Sequence, residues 1–126
     1  MDVRLKRVYE PVEPSDGYRV LIDRLWPRGI TREKAALDEW ARELAPSTEL
    51  RRWFAHDPAH FEEFRRRYAG ELAAREKTLH ELRRRAREGT LTLVHAARDT
   101  EHNDAVVLAE ILSTSAQAGS HQEEGS

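Results

Sequence analysis

Two short polar segments hold most of the residues with which this chain could do chemistry. One is Asp23-Arg24-Leu25-Trp26-Pro27-Arg28-Gly29; the other is Arg98-Asp99-Thr100-Glu101-His102-Asn103. Together they supply carboxylates that can take a proton, guanidinium groups whose paired N–H bonds grip phosphate or carboxylate, and an imidazole that titrates near neutrality. Asp23 ends an apolar run, where burial would make it a better base. Asp99 and His102 are the other candidates for proton transfer. Arg24 and Arg28 are candidate anion ligands, Trp26 a wall of the pocket, and Asn103 a hydrogen-bonding contact. Each has a plainer reading as well. Asp23 can pair with a neighbouring arginine, the arginines can pin helices by bonding carbonyls, and Trp26 can belong to the core. Asp99 or Asn103 can cap the following helix, and His102 can be an ordinary loop histidine.

A weaker cluster is His56-Asp57-Pro58-Ala59-His60. Two histidines four apart suit a metal when both lie on one helix. Asp57-Pro58, however, reads as a helix start, which leaves His56 outside the helix. No metal site is assigned. The chain contains no P-loop, dinucleotide fingerprint, HExxH or G-x-S-x-G, so any cofactor is left unknown.

The elements that position these segments follow from periodicity. Val3, Leu5 and Val8 mark a short first strand. Tyr18–Trp26 carries Val20, Leu21, Ile22 and Leu25 nearly in succession, as suits a strand buried on both faces. Thr90–Ala97 is the third and clearest strand. Leu37, Trp40, Ala41 and Leu44 follow helical spacing, and Pro46 stops them. Ser47 caps a short helix carrying Leu50, Trp53 and Phe54. Residues 59–88 predict two helices broken between Gly70 and Glu76, since one helix of that length would be about 45 Å long. The last helix runs from Asp104 to Leu112. A helical crossover between the second and third strands makes them parallel neighbours. Their carboxyl ends then share one edge, where open α/β sheets bind ligands. The first strand's direction stays open, because the link to the second permits a hairpin and barely a parallel crossover.

The expectation is therefore a single α/β domain over 1–113, with a small, mainly parallel three-stranded sheet packed by about five helices. A disordered tail is expected over 114–126. Composition narrows the function. The 126 residues carry 21 Lys and Arg against 23 Asp and Glu, a net charge of −2. That balance argues against nucleic acid as a partner. Three consecutive arginines on a helix, as in Arg65–Arg67 or Arg83–Arg85, point in different directions and form no stripe. There is no cysteine, which excludes thiolate chemistry and disulfides. No apolar run approaches the length of a membrane span, so a cytoplasmic location and no membrane partner are expected. Oligomeric state is not indicated.

The segments DGYRVLIDRLWPRG (16–29), KAALDEWARELAPSTELRRWFAHDP (34–58) and TLTLVHAARDTEHNDAVVL (90–108) closely resemble the YeaO-like branch of the family named domain of unknown function 488. The likeness runs from about residue 3 to 113. It implies a small bacterial α/β domain and no established reaction. More distant relatives often carry cysteines near the ends of the corresponding strands. This chain has Ala96 and Ala97 there, so thiol chemistry does not transfer. The matching motifs around Arg24, Trp26, Pro27, Arg28, Asp99, His102 and Asn103 coincide with the edge that strand logic selects. Two functions stay open: a small enzyme acting on an anionic or nucleotide-like molecule, with Asp23 or Asp99 as base and His102 shuttling a proton, or a non-catalytic module that binds a ligand or partner there.

Overall fold

The computed structural model describes residues 1–125, with side chains through Thr114. The tail expected over 114–126 thus lies, beyond Thr114, outside the residues described in full. Four strands, β1 (Asp2–Arg7), β2 (Tyr18–Leu21), β3 (Glu39–Trp40) and β4 (Thr90–His95), form one sheet in the order β1-β4-β2-β3. Every pairing is parallel. The helices are α1 (Arg32–Ala35), α2 (Thr48–Phe54), α3 (Phe61–Leu72), α4 (Glu76–Glu88) and α5 (Asp104–Gly125).

The apolar run of β4 explains its central place. Leu91 to His95 are all buried, which only a strand flanked on both sides and covered on both faces achieves. β1 lies on its outer side, in register from Asp2 opposite Thr90 to Arg7 opposite His95. Arg4 and Leu5 on this edge strand are exposed, and the charges of β1 discourage pairing with another chain. The open direction of the first strand is thereby resolved as parallel. The chain leaves β1, makes a tight turn at Pro14–Asp16, and enters β2 one position away, leaving a slot for β4. Gly17 permits this return. Its φ is +64°, and a Cβ there would lie 2.3 Å from the carbonyl oxygen of Thr90.

The helix expected over Leu37–Leu44 is not formed. Glu39–Trp40 instead adds a fourth strand, pairing Val20 with Glu39 and Leu21 with Trp40, and Arg42–Leu44 closes a 3-10 turn. The free edge of β2 decides this. Arg19 N–H donates to the Asp38 carboxylate (2.8 Å), Asp38 N–H to Arg19 O (2.9 Å) and Ala41 N–H to Leu21 O (2.8 Å). Satisfying that buried backbone outweighs helical periodicity. Both faces of the sheet are covered. Val20, Ile22, Leu91 and Leu93 meet Phe54, Phe64, Tyr68, Leu79, Leu82 and Leu108 of the helices. Leu21 and Val94 meet Val8 and Ala35 on the other face, with Trp26 and Trp40 packed alongside. The expected break between Gly70 and Glu76 is a 3-10 turn at Ala73–Arg75.

The second face is fastened by a buried ionic latch. The Arg19 guanidinium donates to Asp16 (2.6 Å) and to Ala35 O (2.8 Å), while Lys6 Nζ lies 3.0 Å from Asp16. Thr92 Oγ1 donates to Asp16 O at 2.6 Å. One guanidinium thus ties the β1–β2 link to α1; its removal leaves the buried Asp16 carboxylate with Lys6 as its remaining cation and strands the carbonyls of Ala35 and Ala36. Arg19→Met is expected to lower the unfolding free energy by about 3 kcal/mol, seen as a lower urea midpoint at unchanged slope; an unshifted midpoint would remove the latch's structural role.

Candidate functional site at the carboxyl edge of β2 and β4

The seam between the two strand ends is made by a side chain. Ile22 N–H still donates to Val94 O (3.2 Å), but the next donor on the β4 side, Ala96 N–H, is taken by the Asp23 carboxylate at 3.0 Å. Trp40 Nε1 donates to Asp23 O at 2.7 Å and fixes the turn from beneath. His95, buried at the end of β4, accepts from Ala97 N–H through Nδ1 (3.1 Å). Burial lowers its pKa, so it stays neutral with the proton on Nε2.

Beyond this seam lies a cavity of about 360 Å3. Six of the seven residues singled out from sequence line it: Asp23, Arg24, Trp26, Arg28, His102 and Asn103. The seventh, Asp99, is not among the lining residues and acts on His102 instead. Its carboxylate accepts the N–H groups of Glu101 (2.9 Å) and His102 (3.0 Å) and lies 3.0 Å from His102 Nδ1. The Glu101 N–H, ahead of the His102 ring, holds Asp99 below the usual carboxylate range. An ionised carboxylate can only accept, so Nδ1 carries a proton, and in the neutral form of the ring Nε2 is the acceptor. The His102 ring also packs edge-on against Phe61, with centroids 5.2 Å apart.

Several of these residues have structural duties. Asn103 caps α5: its Oδ1 accepts from Val106 N–H (3.0 Å) and its Nδ2 donates to Asp99 O (2.8 Å). Arg24 donates to Pro46 O at 2.7 Å, pinning the loop before α2. Trp26 Nε1 donates to Ile30 O at 2.6 Å, and its ring stands edge-on to Trp40. Arg28 is exposed, with its carbonyl held by the Tyr9 hydroxyl (3.1 Å). Leu25, 66% exposed, overhangs the mouth.

The structure adds lining residues that the sequence did not single out, chiefly Asp104 and Arg51, and returns His56 from a discarded metal cluster. Asp104 is the first residue of α5, where an acid ordinarily answers the helix dipole. Only the meeting of this helix start with the end of β2 sets it beside Asp23. Burial, reinforced by the Asp23 charge, pushes the Asp104 pKa up to about 7. Burial likewise raises Asp23, opposed by the Ala96 N–H and by Arg51. The floor therefore holds two carboxyls, and Asp104 is mostly protonated below about pH 7. The walls are Phe54, Phe64, Pro27, Ala96 and Ala97, and the arginines stand toward solvent. Among the described residues no three His, Asp or Glu side chains gather as metal ligands would.

A family model described as "Inactive DUF488-N3 subclade" matches residues 2–126. The chain belongs to the DUF488 family. It is 48% identical over 112 residues to the uncharacterized protein YeaO of Escherichia coli (strain K12), covering 89% of this chain and 97% of that protein. It is 44% identical over 110 residues to the uncharacterized protein Rv3073c of Mycobacterium tuberculosis (strain ATCC 25618 / H37Rv), covering 87% of this chain and 92% of that one. No solved structure matches it significantly. The resemblance read from the DRLWPRG and HNDAVVL segments is thus a family relationship, and in this DUF488 chain both segments border the cavity. No helix among the described residues is long and apolar enough to cross a membrane.

The acid pair makes stability depend on pH with a definite sign. Asp104 is easier to protonate folded than unfolded, so from about pH 4 to pH 7 the native state binds more protons. Its contribution therefore weakens stability as pH rises through that window and levels off above it. Asp104→Asn keeps the shape and removes the titration. Relative to wild type, it is expected to gain about 4 kcal/mol between pH 4 and pH 8, measured by urea unfolding at each pH. Parallel curves would show that Asp104 ionises as freely folded as unfolded.

Proposed function

We propose that this cavity binds a small anionic, nucleotide-like molecule, and that in this chain it binds the molecule without converting it. The observation that carries the reading is the polarity of one open-mouthed cleft: two carboxyls on the floor, apolar and aromatic walls, and guanidinium groups at the mouth. A ring bearing hydrogen-bond donors and acceptors suits a floor that offers both acceptor oxygens and a carboxyl proton. An anionic group suits the arginines. The volume falls in the range of small-molecule pockets. The charged helices elsewhere offer less. Arg66 and Arg67 pair with Glu63, Arg84 pairs with Glu81 and Glu88, and Arg65 pairs with Glu62 and Glu110. These internal pairs argue against a nucleic-acid surface.

Two facts favour binding over turnover. The matched family description calls the subclade inactive, and no Ser, Thr or Cys side chain is among the lining residues to serve as nucleophile. One observation supports the catalytic alternative. Asp99 orients His102 with a free Nε2, and the carboxyl pair could pass a proton.

The test is thermal unfolding of the full chain with AMP, GMP, ribose 5-phosphate and citrate, with each mixture followed by NMR. A ligand at about a hundred times its Kd adds about 2.7 kcal/mol of stability. A Tm rise of several degrees with a nucleotide, and no new species in the spectrum, is expected. Steady conversion of a bound probe would transfer the assignment to the enzyme reading, and a Tm indifferent to all four would defeat the pocket itself.

A further inference from the structure

Within this reading, the anionic end of the ligand need not be held by the arginines of the β2 turn. We infer that the end of α2, through Arg51 and His56, is the phosphate-holding wall of the cavity, and that its backbone is kept strained to present His56. The inference rests on the pocket described above and names the side of it that takes a phosphate monoester.

Three observations converge. First, Arg51 is exposed, lines the cavity, and among the described residues has no carboxylate within ion-pair distance and no side-chain hydrogen bond. Its charge still reaches Asp23 and Asp104, which places it over the floor rather than away in solvent. Arg24, by contrast, is already bonded to Pro46 O. Second, His56 lines the same cavity, exposed, with its ring 6.3 Å from that of Phe54. The other histidine of that segment, His60, is stacked on Trp53 at 4.5 Å and is not a lining residue.

Third, Ala55 and His56 both have left-handed backbones, with φ of 48° and 57°. One such residue after a helix is common, but glycine is the residue that fits. Two in succession, neither glycine, oppose the ordinary preference of L-residues. Ala55 N–H closes α2 on Arg51 O (3.0 Å), and Asp57 N–H donates to Phe54 O (2.9 Å), so the corner is held from both sides. The corner turns the chain sharply enough for Arg51, one helical turn back, and His56 to line one cavity. Strain retained at a pocket wall is intelligible if it positions a contact.

The acids set the direction. A phosphate against Asp23 and Asp104 would meet like charge, so the ligand's polar ring occupies the floor and its phosphate the α2 side. Arg51 supplies a fixed positive charge with five donors, and His56 adds a further hydrogen bond.

The test uses the full chain, with AMP and inorganic phosphate as charged probes and adenosine as the neutral one. Ala55→Gly relieves strain without touching the cavity; it is expected to raise Tm by about 2–4 °C and to leave AMP affinity within about twofold. His56→Gly is expected to raise Tm similarly yet weaken AMP about fivefold or more, and His56→Ala to weaken AMP equally with no gain in Tm. Arg51→Gln should weaken AMP and phosphate by about tenfold or more and flatten the salt dependence of binding, with adenosine affected little. These magnitudes are of the order of one lost charge-assisted hydrogen bond. If wild type binds AMP but Arg51→Gln and His56→Ala bind it equally well, this wall is wrong while the pocket stands. If neither glycine variant is stabilised, the corner stores no strain and that part of the inference fails. If wild type binds none of the three probes, the pocket reading fails, and this one with it.

Discussion

One hydrogen bond, from the Ala96 N–H to the Asp23 carboxylate, organises the carboxyl edge of the sheet. β2 gives up its ladder just after Ile22, whereas β4 runs on to His95. The unequal ends leave a backbone donor that water would otherwise take. A carboxylate on the shorter strand fills the gap, and this has two consequences. It locks the turn at Arg24–Gly29 to the loop at Ala96–Asn103, and it draws an acid into a poorly solvated place. The second consequence costs free energy, since a half-buried carboxylate with one backbone partner is easily neutralised. The same contact thus holds the edge together and makes it chemically unusual.

The placement of Asp104 compounds this. Starting α5 with Asn103 as cap satisfies Val106 N–H, and the Asp104 carboxylate takes Ala105 N–H at 3.1 Å. Burial, with the Asp23 charge added, raises the pKa of a residue that the helix N-terminus alone would lower. Arg51 offsets the two acids through space without pairing with either. Elsewhere the chain behaves differently: the arginines of α3 and α4 are largely matched to glutamates on their own helices, and Arg19 is enclosed by Asp16 and carbonyls. Arg51, at the cavity, has no such partner among the described residues.

How far the sequence could be read depended on whether the signal was local. Val20–Ile22 and Leu91–Val94 announced buried strands by composition, and the intervening helices made their parallel pairing a matter of chain geometry. Ser47, Asp57 and Asn103 were legible as caps because a cap works within three residues. Leu37–Leu44 was misread because its spacing fits a helix while the open side of β2 requires a strand; the deciding partners, Arg19 and Leu21, lie far back in sequence. The first strand's place beyond β4 was likewise invisible, since β4 is synthesised last and inserts between two strands already separated. Six of the seven named site residues line one cavity because they occupy two strand ends that must be neighbours. Asp104, Arg51 and His56 escaped notice because each looked ordinary in its own segment.

These exceptions share a location. A foldable sequence normally satisfies local preference, pairing and burial at once. Around this cavity a carboxyl ionises with difficulty, Arg51 lacks a counter-charge, and Ala55 and His56 hold left-handed backbones; the remaining non-glycine residue of that kind, Ala36, ends α1 away from the cavity lining. Each departure alone has an innocent explanation: a tight turn, a helix start, a solvent-exposed side chain. Their coincidence is harder to explain by folding alone. The core on either side of the sheet is apolar and the latch at Arg19 is fully bonded, so the fold has no need of these compromises. Glycine at Ala55, glutamine at Arg51 or asparagine at Asp104 would ease them without disturbing a single strand. What such changes would remove is the combination of acid floor and basic wall on which the proposed binding of a small anion rests.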